Sequence, residues 1–411
     1  MNYKKILIFT LGFLISYSGF SQEAKDRNQE NINVNKFRQL YQEFSTPNMY
    51  RTASGAPGPA YYQQQADYKM DIELDDENKK IYGSETITYT NNSPDNLEYL
   101  WVQLDQNVRK KDSPSLLIDG SGVRPAYAPS GFTKEFLTDP FDGGFNIEYV
   151  VDENNKSLKY IVNQTMMRVD LPSVLKSGEQ FSFSIKWWYN IQDHVNQDGR
   201  SGYETFDKDG NRVYIIAQFF PRMAVYNEVE GWQNYQFWGD GEFALPFGNY
   251  DVKITVPSDH ILDATGELQN RKNVFSKEMI KRFNKAKKTY DKPVMIVTQA
   301  EAEEAEKGFS KKKKTWHFQA ENVRDFAFAT SRKFIWDMMA VKIGDKDVMA
   351  VSMYPKEGNP LWEDYSTVVV AETLKTYSDY TFDYPYHKAI SVHAKQIGME
   401  YPMICFNFGR P

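Results

Sequence analysis

The sequence predicts a mainly β fold, in which an antiparallel β saddle or sandwich domain is followed by the start of an α/β domain. Three observations predict this fold. Apolar and polar residues alternate over many short segments, Asn, Gly, Asp and Pro turns separate these segments, and near the end the pattern changes to strand, helix, strand. Many short strands joined by tight turns favour antiparallel sheets over a parallel sheet.

The first clear strand begins at Asp67. Tyr68, Met70, Ile72 and Leu74 alternate with charged residues, so one face of this strand is predicted to be buried and the other wet. A similar rhythm predicts strands at 81–90, 97–104, 147–151, 158–162, 166–171, 181–187, 213–217 and 252–256. These strands assign residues 61–320 to one β domain.

The chain begins with features of a secretory signal peptide. Lys4 and Lys5 precede the apolar run from Ile6 to Ile15, and small residues follow at Gly19 and Ser21. The run is shorter than the ~20 apolar residues of a membrane helix. We therefore expect residues 1–21 to be removed, with export to the periplasm or the medium and no membrane span afterwards; a retained signal anchor is the alternative.

Residues 22–60 form a predicted extension before the β domain. They are polar at first, then Phe37, Leu40, Tyr41 and Phe44 fall at helical spacing, and a run rich in Gly and Pro follows at 54–59. This pattern predicts a short helix and an extended linker.

Composition limits the functions to consider. The formal net charge is −6, and the predicted signal peptide contains two lysines and no acid, so the mature chain is more acidic still. An acidic surface argues against nucleic acid as the main partner. The single cysteine, Cys405, cannot form an internal disulfide, so stability must come from a core, for which 41% hydrophobic residues are sufficient.

Residues 270–315 are predicted to be a helical insertion on the β domain. Ser276 precedes a basic amphipathic helix, and Thr298 and Glu301 form a capping box for a second helix. The basic run from Lys311 to Lys314 follows. A membrane-surface or nucleic-acid role is one interpretation, and a solvated surface excursion is the other.

Aromatic residues are concentrated between Phe206 and Gly248. They form either a cleft wall that recognises substrate side chains or a hydrophobic core, and their number favours the core for any single ring. Arg222 follows Pro221 in this region. A structural salt bridge is the expected role of Arg222.

Residues 321–411 begin a second unit. A strand at 348–354, a helix from about 359 to 380 and a strand at 389–393 lead to Gly398, Met399 and Glu400. An extended edge at this point can pair with an incoming peptide, and a carboxylate held there can bind a positively charged amino terminus. Recognition of peptide ends is the function this pattern indicates.

Gly398, Met399 and Glu400 resemble the Gly-x-Met-Glu-Asn element of the aminopeptidase N-like gluzincin family of zinc aminopeptidases. The segment from Ile216 to Arg222 resembles the family's Thr-Gln-x-Glu/Gln loop, with Gln218 at the first amide. The resemblance covers roughly residues 61–411. It implies a β saddle domain, the first part of a thermolysin-like catalytic domain, zinc as cofactor, and a peptide with a free amino terminus as substrate. It also implies that Glu400, Gln218, Gly398 and Met399 bind that substrate.

Zinc catalysis in this family uses a His-Glu-x-x-His helix, because two histidines one turn apart share one helix face. No such motif occurs among the five histidines of this sequence. We therefore assign no catalytic or metal-binding residue to these 411 residues and interpret them as the truncated front portion of a longer enzyme, inactive alone. The alternative is a secreted β-sandwich binding module without chemistry.

Overall fold

The computed structural model describes residues 47–115, 126–133, 137, 141–197, 199–239, 244–395 and 397–410. The predicted signal peptide at 1–21 and the helix predicted around 37–44 lie outside these residues. The chain divides into two units, residues 1–61 and 62–411. In the first unit, Arg51 pairs with Pro57 in a single bridge, and its guanidinium lies over the ring of Tyr61.

A seven-stranded sheet is the largest element of the unit formed by residues 62–411. Only its strands β1 and β13 run parallel to each other, and every other neighbouring pair is antiparallel. In spatial order the strands are β15 (Glu267–Leu268), β17 (Lys313–Val323), β13 (Gly248–Pro257), β1 (Gln65–Asp75), β2 (Lys80–Thr90), β7 (Gln180–Asn190) and β4 (Asn146–Asp152). The alternation predicted for β1 is observed, since Tyr68, Met70, Ile72 and Leu74 are buried.

Two four-stranded sheets and one hairpin complete the β-rich part. The first sheet contains β10 (Arg222–Met223), β3 (Leu97–Gln103), β6 (Met166–Leu175) and β5 (Tyr160–Asn163) in spatial order. The second contains β14 (Ile261–Ala264), β18 (Phe328–Ser331), β9 (Arg212–Ile216) and β8 (Gly202–Thr205). The hairpin pairs β11 (Tyr226–Asn227) with β12 (Gly231–Trp232).

A six-stranded mixed sheet carries the predicted α/β unit. Its spatial order is β16 (Val294–Val297), β19 (Ile335–Ile343), β20 (Lys346–Tyr354), β21 (Lys388–His393), β23 (Ile404–Asn407) and β22 (Met399–Tyr401). The pairs β20–β21 and β21–β23 are parallel. The described helices are α1 (Pro129–Phe132), α2 (Arg271–Val274), α3 (Lys277–Ala286), α4 (Gln299–Ala305) and α5 (Thr367–Tyr380), besides short 3-10 and π turns.

The prediction of a mainly β fold that ends in an α/β unit is confirmed. The aromatic region is largely core, because Phe219 and Phe220 are fully buried and pack edge-to-face with each other. Within the described ranges, none of the helices combines the length and apolar character needed to cross a bilayer.

Two details differ from the sequence-based expectations. The insertion at 270–315 is not only a solvated excursion, because its strand β16 pairs with β19 and Met279 and Ala286 of α3 are buried. Residues 325–327, which fall in the α/β unit predicted from residue 321 onward, instead lead into β18, which pairs with β9 and β14 of the β-rich part. A division near residue 321 remains a prediction.

Close packing of the inner sheet faces depends on one glycine. Gly83 on β2 lies opposite Trp187 on β7, and a Cβ atom at Gly83 would overlap the indole ring of Trp187. The Trp187 Nε1 donates to the carbonyl oxygen of Phe219 at 3.0 Å. The absence of a side chain at Gly83 therefore lets Trp187 hold the segment that follows β9.

Helix α5 is attached to the six-stranded sheet through the carboxylate of Asp337. Tyr354 Oη donates to Asp337 Oδ2 at 2.7 Å, and the Thr367 hydroxyl donates to Asp337 Oδ1. Burial raises the pKa of Asp337 to about 6, although these two hydroxyl donors oppose the rise. The carboxyl is therefore protonated more easily in the folded chain than in the unfolded chain.

The first prediction concerns Gly83. Gly83→Ala should lower the free energy of unfolding by ~1–3 kcal/mol, because the new methyl group overpacks the core against Trp187. Chemical denaturation measures this change. Gly131→Ala is the control, since a Cβ atom there would meet no atom within 4 Å. Equal effects of the two substitutions would contradict the packing role of Gly83.

The second prediction concerns pH. Because the folded pKa of Asp337 is about 6 and the ordinary value is 3.8, the folded state binds more protons between these values. The contribution of Asp337 to the free energy of unfolding is therefore complete below about pH 3.8. This contribution falls by roughly 3 kcal/mol as the pH rises to about 6. Denaturation at several pH values should show the wild type losing this amount relative to Asp337→Asn. Parallel pH profiles would contradict the prediction.

Candidate functional site

The strand β22, which carries Met399 and Glu400, lies at the outer edge of the six-stranded sheet. Among the described residues it is paired on one side only, antiparallel to β23, with Glu400 opposite Cys405. The turn that joins these strands is held from outside, because Thr265 Oγ1 donates to the Pro402 carbonyl at 2.8 Å. The predicted extended edge is therefore present and anchored.

Glu400 is exposed at this edge. Its carboxylate makes no hydrogen bond or ion pair with any residue that the structure describes, so the expectation of a carboxylate held in place by its neighbours is not met. Burial and the nearby charge of Glu400 raise the pKa of the Cys405 thiol. Glu400 therefore lies over the same sheet face as Cys405.

An open apolar groove of about 900 Å³ lies along that face. Val369 and Tyr377 of α5 line one side, and Ala389 and Cys405 of the sheet line the other. Several of its aromatic side chains are exposed, including Tyr377 and Phe408. The groove can accommodate apolar groups next to the Glu400 edge.

Gly398 and Met399 precede Glu400 and differ in burial. Gly398 is exposed, and a Cβ atom there would meet only the Phe408 ring, at 3.7 Å. Met399 is half-buried against the main core and lies opposite Phe406. The backbone at Gly398 is therefore accessible to a ligand, whereas Met399 mainly fixes the strand.

Gln218 lies in the segment between β9 and β10, and its backbone is strained. Its φ is +51°, in the left-handed region that non-glycine residues rarely adopt. Such a conformation costs on the order of 1–3 kcal/mol. The side chain is 5% exposed, and its Oε1 atom is buried without a hydrogen-bond partner in the described part of the chain. Strain and an unpaired acceptor at one residue are typical of a functional position.

Arg222 ends this segment in a buried ion cluster. Its Nε and Nη2 atoms donate to Asp105 Oδ2 at 3.1 and 2.8 Å, and Nη1 donates to Asp325 Oδ2 at 2.6 Å. Burial acts against the charged form, but the two carboxylates hold the pKa of Arg222 above its usual value. The structural salt bridge expected for Arg222 is confirmed.

Tyr401 brings the edge strand next to this cluster. Burial raises the pKa of Tyr401, the charge of Asp325 adds to the rise, and Arg222 opposes it. The Tyr401 hydroxyl is buried without a partner in the described residues. The charges of the cluster therefore act on Tyr401 of the edge strand, whereas no hydrogen bond among the described residues joins the side chains of Gln218 and Glu400.

Sequence reasoning missed four residues of this region: Asp105, Gln106, Asp325 and Tyr401. Gln106 Nε2 donates to the Gln218 carbonyl at 2.9 Å. Asp105 and Gln106 immediately follow the strand predicted at 97–104, and the sequence analysis gives them no role. The only available signal was that both are polar at the end of a buried strand, and this does not specify a partner.

The described residues do not fit a zinc site. No group of three or more His, Cys, Asp or Glu side chains among them is placed to hold a metal ion. His260 faces Asp76, and His317 bonds to Asp251 at 3.0 Å. Burial lowers the pKa of His194 to about 4 and of His393 to about 3, and the charge of His194 adds to the lowering at His393.

No family model matches the chain, and no curated protein matches it. Solved structures of M1 zinc metallopeptidases are similar to it. The M1 zinc metallopeptidase from Deinococcus radiodurans aligns at 12% identity with a TM-score of 0.46, over 85% of this chain and 61% of that chain. A mutant from the same organism, bound to a Tyr-Ser-Ala substrate, aligns at 12% identity with a TM-score of 0.48. This alignment covers 85% of this chain and 61% of that chain.

Another mutant structure from the same organism aligns at 12% identity and a TM-score of 0.47, over 86% of this chain and 62% of that chain. The present chain thus spans less than two thirds of the length of the solved structures it matches.

The third prediction concerns Arg222. Arg222→Gln should lower the free energy of unfolding by ~3–5 kcal/mol, because Asp105 and Asp325 would remain buried without their cation. Arg168→Gln is the matched control, since Arg168 pairs with Asp170 at 2.9 Å in a more exposed position and should lose only about 1 kcal/mol or less. Urea denaturation of both variants measures the difference, and similar losses would contradict a stabilising role for the buried cluster.

Proposed function

We propose that this chain is the substrate-recognition portion of an exported zinc-dependent aminopeptidase, which removes residues from the amino terminus of peptides. The placement of Glu400 supports this proposal most directly. Its carboxylate stands exposed on an edge strand beside Cys405, which lines the apolar groove, and Glu400 directly precedes Tyr401, whose pKa is influenced by the charges of the Arg222 cluster. Export depends on residues 1–21, which lie outside the described part.

In this proposal, Glu400 binds the free amino group of the peptide. Its carboxylate has no partner to give up among the described residues, and an ammonium group is the ligand that a free carboxylate at an edge favours. Such a charge-assisted hydrogen bond contributes about 1.5–3 kcal/mol. This contribution is large enough to favour a peptide end over an interior bond.

Gln218, Gly398 and Met399 have supporting roles. The Oε1 of Gln218 is buried and unpaired among the described residues, so Gln218 would act as a second acceptor only for an ammonium group that reaches this interior position. The accessible backbone at Gly398 allows an extended peptide to approach the free side of β22 as an added strand. Met399 holds this strand in place because its side chain packs against the hydrophobic core.

The cleavage chemistry is assigned to residues outside this chain. Bound zinc would polarise the scissile carbonyl and activate water, but the described residues offer no site that fits the ion. The proposal therefore gives these 411 residues the task of registering the peptide terminus, and it derives no chemical step from them.

The fourth prediction tests Glu400. In the polypeptide that carries the catalytic segment, Glu400→Gln should lower kcat/KM for peptides with a free amino terminus roughly 10- to 100-fold, because the charge that binds the ammonium group is lost. Initial rates on trialanine measure this. Glu321→Gln, at an exposed glutamate on β17, is the control. Turnover unchanged by Glu400→Gln would remove Glu400 from this role.

A further inference from the structure

A short 3-10 helix, Asp105–Arg109, forms hydrogen bonds with both ends of the segment from Gln218 to Arg222. Asp105 Oδ2 accepts from Arg222 at the far end of the segment, at 2.8 Å. The next residue, Gln106, donates through Nε2 to the carbonyl of Gln218 at 2.9 Å. Two adjacent residues of one helical turn therefore fix both the strained residue and the end of its segment.

The Gln106 amide is itself oriented. Its Nε2 atom donates to Gln218, while its Oε1 atom accepts from Arg109 Nη1 at 3.2 Å. An amide flipped about its last bond would place like groups against each other at both contacts. Arg109 is in turn packed closely against Gly199, where a side chain would collide with the guanidinium. This chain of contacts leaves one orientation for Gln106.

Gln218 shows two features that do not stabilise the fold. Its backbone lies in the left-handed region at φ +51°, and its side-chain acceptor Oε1 is buried without a partner among the described residues. Unfavourable features of this kind persist where surrounding contacts impose them, and they occur often at binding sites. The contact from Gln106 is directed at this same residue.

We propose that Gln106 is a positioning residue, which fixes the strained backbone of Gln218 and thereby the position of the side chain assigned to the ammonium group of a peptide, with Arg109 orienting Gln106. The identity of the ligand rests on the proposed function; the holding of Gln218 by Gln106 does not. Gln106 itself does not contact the peptide.

The fifth prediction uses a matched pair of substitutions. Gln106→Glu keeps the size of the side chain and its bond from Arg109, but a carboxylate cannot donate to the Gln218 carbonyl. Gln64→Glu is the control, because Gln64 is equally buried at 3% exposure, accepts from Asn92 N–H and donates to Asn91 Oδ1. Gln106→Glu loses the donated bond to Gln218 and a longer one to the Ala217 carbonyl at 3.5 Å. Gln64→Glu loses its one donated bond, and each variant keeps its accepted bond.

The first measurement needs no ligand. Hydrogen–deuterium exchange of the peptide covering residues 216–223 should become about tenfold faster in Gln106→Glu and stay unchanged in Gln64→Glu, since local opening follows the loss of the contact that closes the segment. Unchanged exchange in Gln106→Glu would overturn the positioning role, whatever the protein binds.

The second measurement uses trialanine and N-acetyl-trialanine in calorimetric titrations of the full polypeptide. The wild type should bind trialanine more tightly than its acetylated form, and Gln106→Glu should reduce this preference roughly 3- to 10-fold while Gln64→Glu retains it. A wild type without preference would overturn the proposed function alone. A preference that survives Gln106→Glu would overturn the positioning role in binding.

Discussion

The ion cluster of Arg222 with Asp105 and Asp325 is the interaction on which the functional region depends. It joins the 3-10 helix after β3, the start of β10 and the connection into β18, and all three side chains are almost entirely buried. Buried charges of this kind give little net stability but strongly penalise any arrangement in which one partner is missing. The cluster therefore selects one relative position for the loop of Gln218, the 3-10 helix after β3 and the connection into β18.

The individual strands of the β domain could be predicted because a half-buried strand has a local signature. In β1, every second residue is apolar, and this period is visible without knowledge of the fold. Strand β2 has the same burial period, although Glu85 occupies one of its buried positions. Strand β19 is buried at every position except Lys342, so it has no such alternation and was not predicted. Strand β16 was not predicted either, because it is only four residues long and lies between two helices of the insertion. Sheet order was not predictable, since partners such as β1 and β13 are chosen by packing between distant segments.

The site was predictable to the extent that its residues are contiguous. Gly398, Met399 and Glu400 form one motif, and Gln218 belongs to another. The contacts that organise them join residues more than a hundred positions apart, such as Gln106 with Gln218 and Arg222 with Asp105. A sequence pattern cannot specify such pairs. Exposure of Glu400 likewise depends on which elements cover the strand, and local pattern does not determine this.

The parallel pairing of β1 with β13 has a consequence for biosynthesis. Strand β1 emerges from the ribosome early, yet its second neighbour begins only at Gly248. Until then the nascent chain carries an eleven-residue strand with an open edge in what becomes the middle of the sheet. Contacts of such long sequence separation form slowly and leave edges available for wrong pairing. Protection of this nascent edge, by chaperones or by delayed collapse, is therefore a requirement that the topology itself imposes.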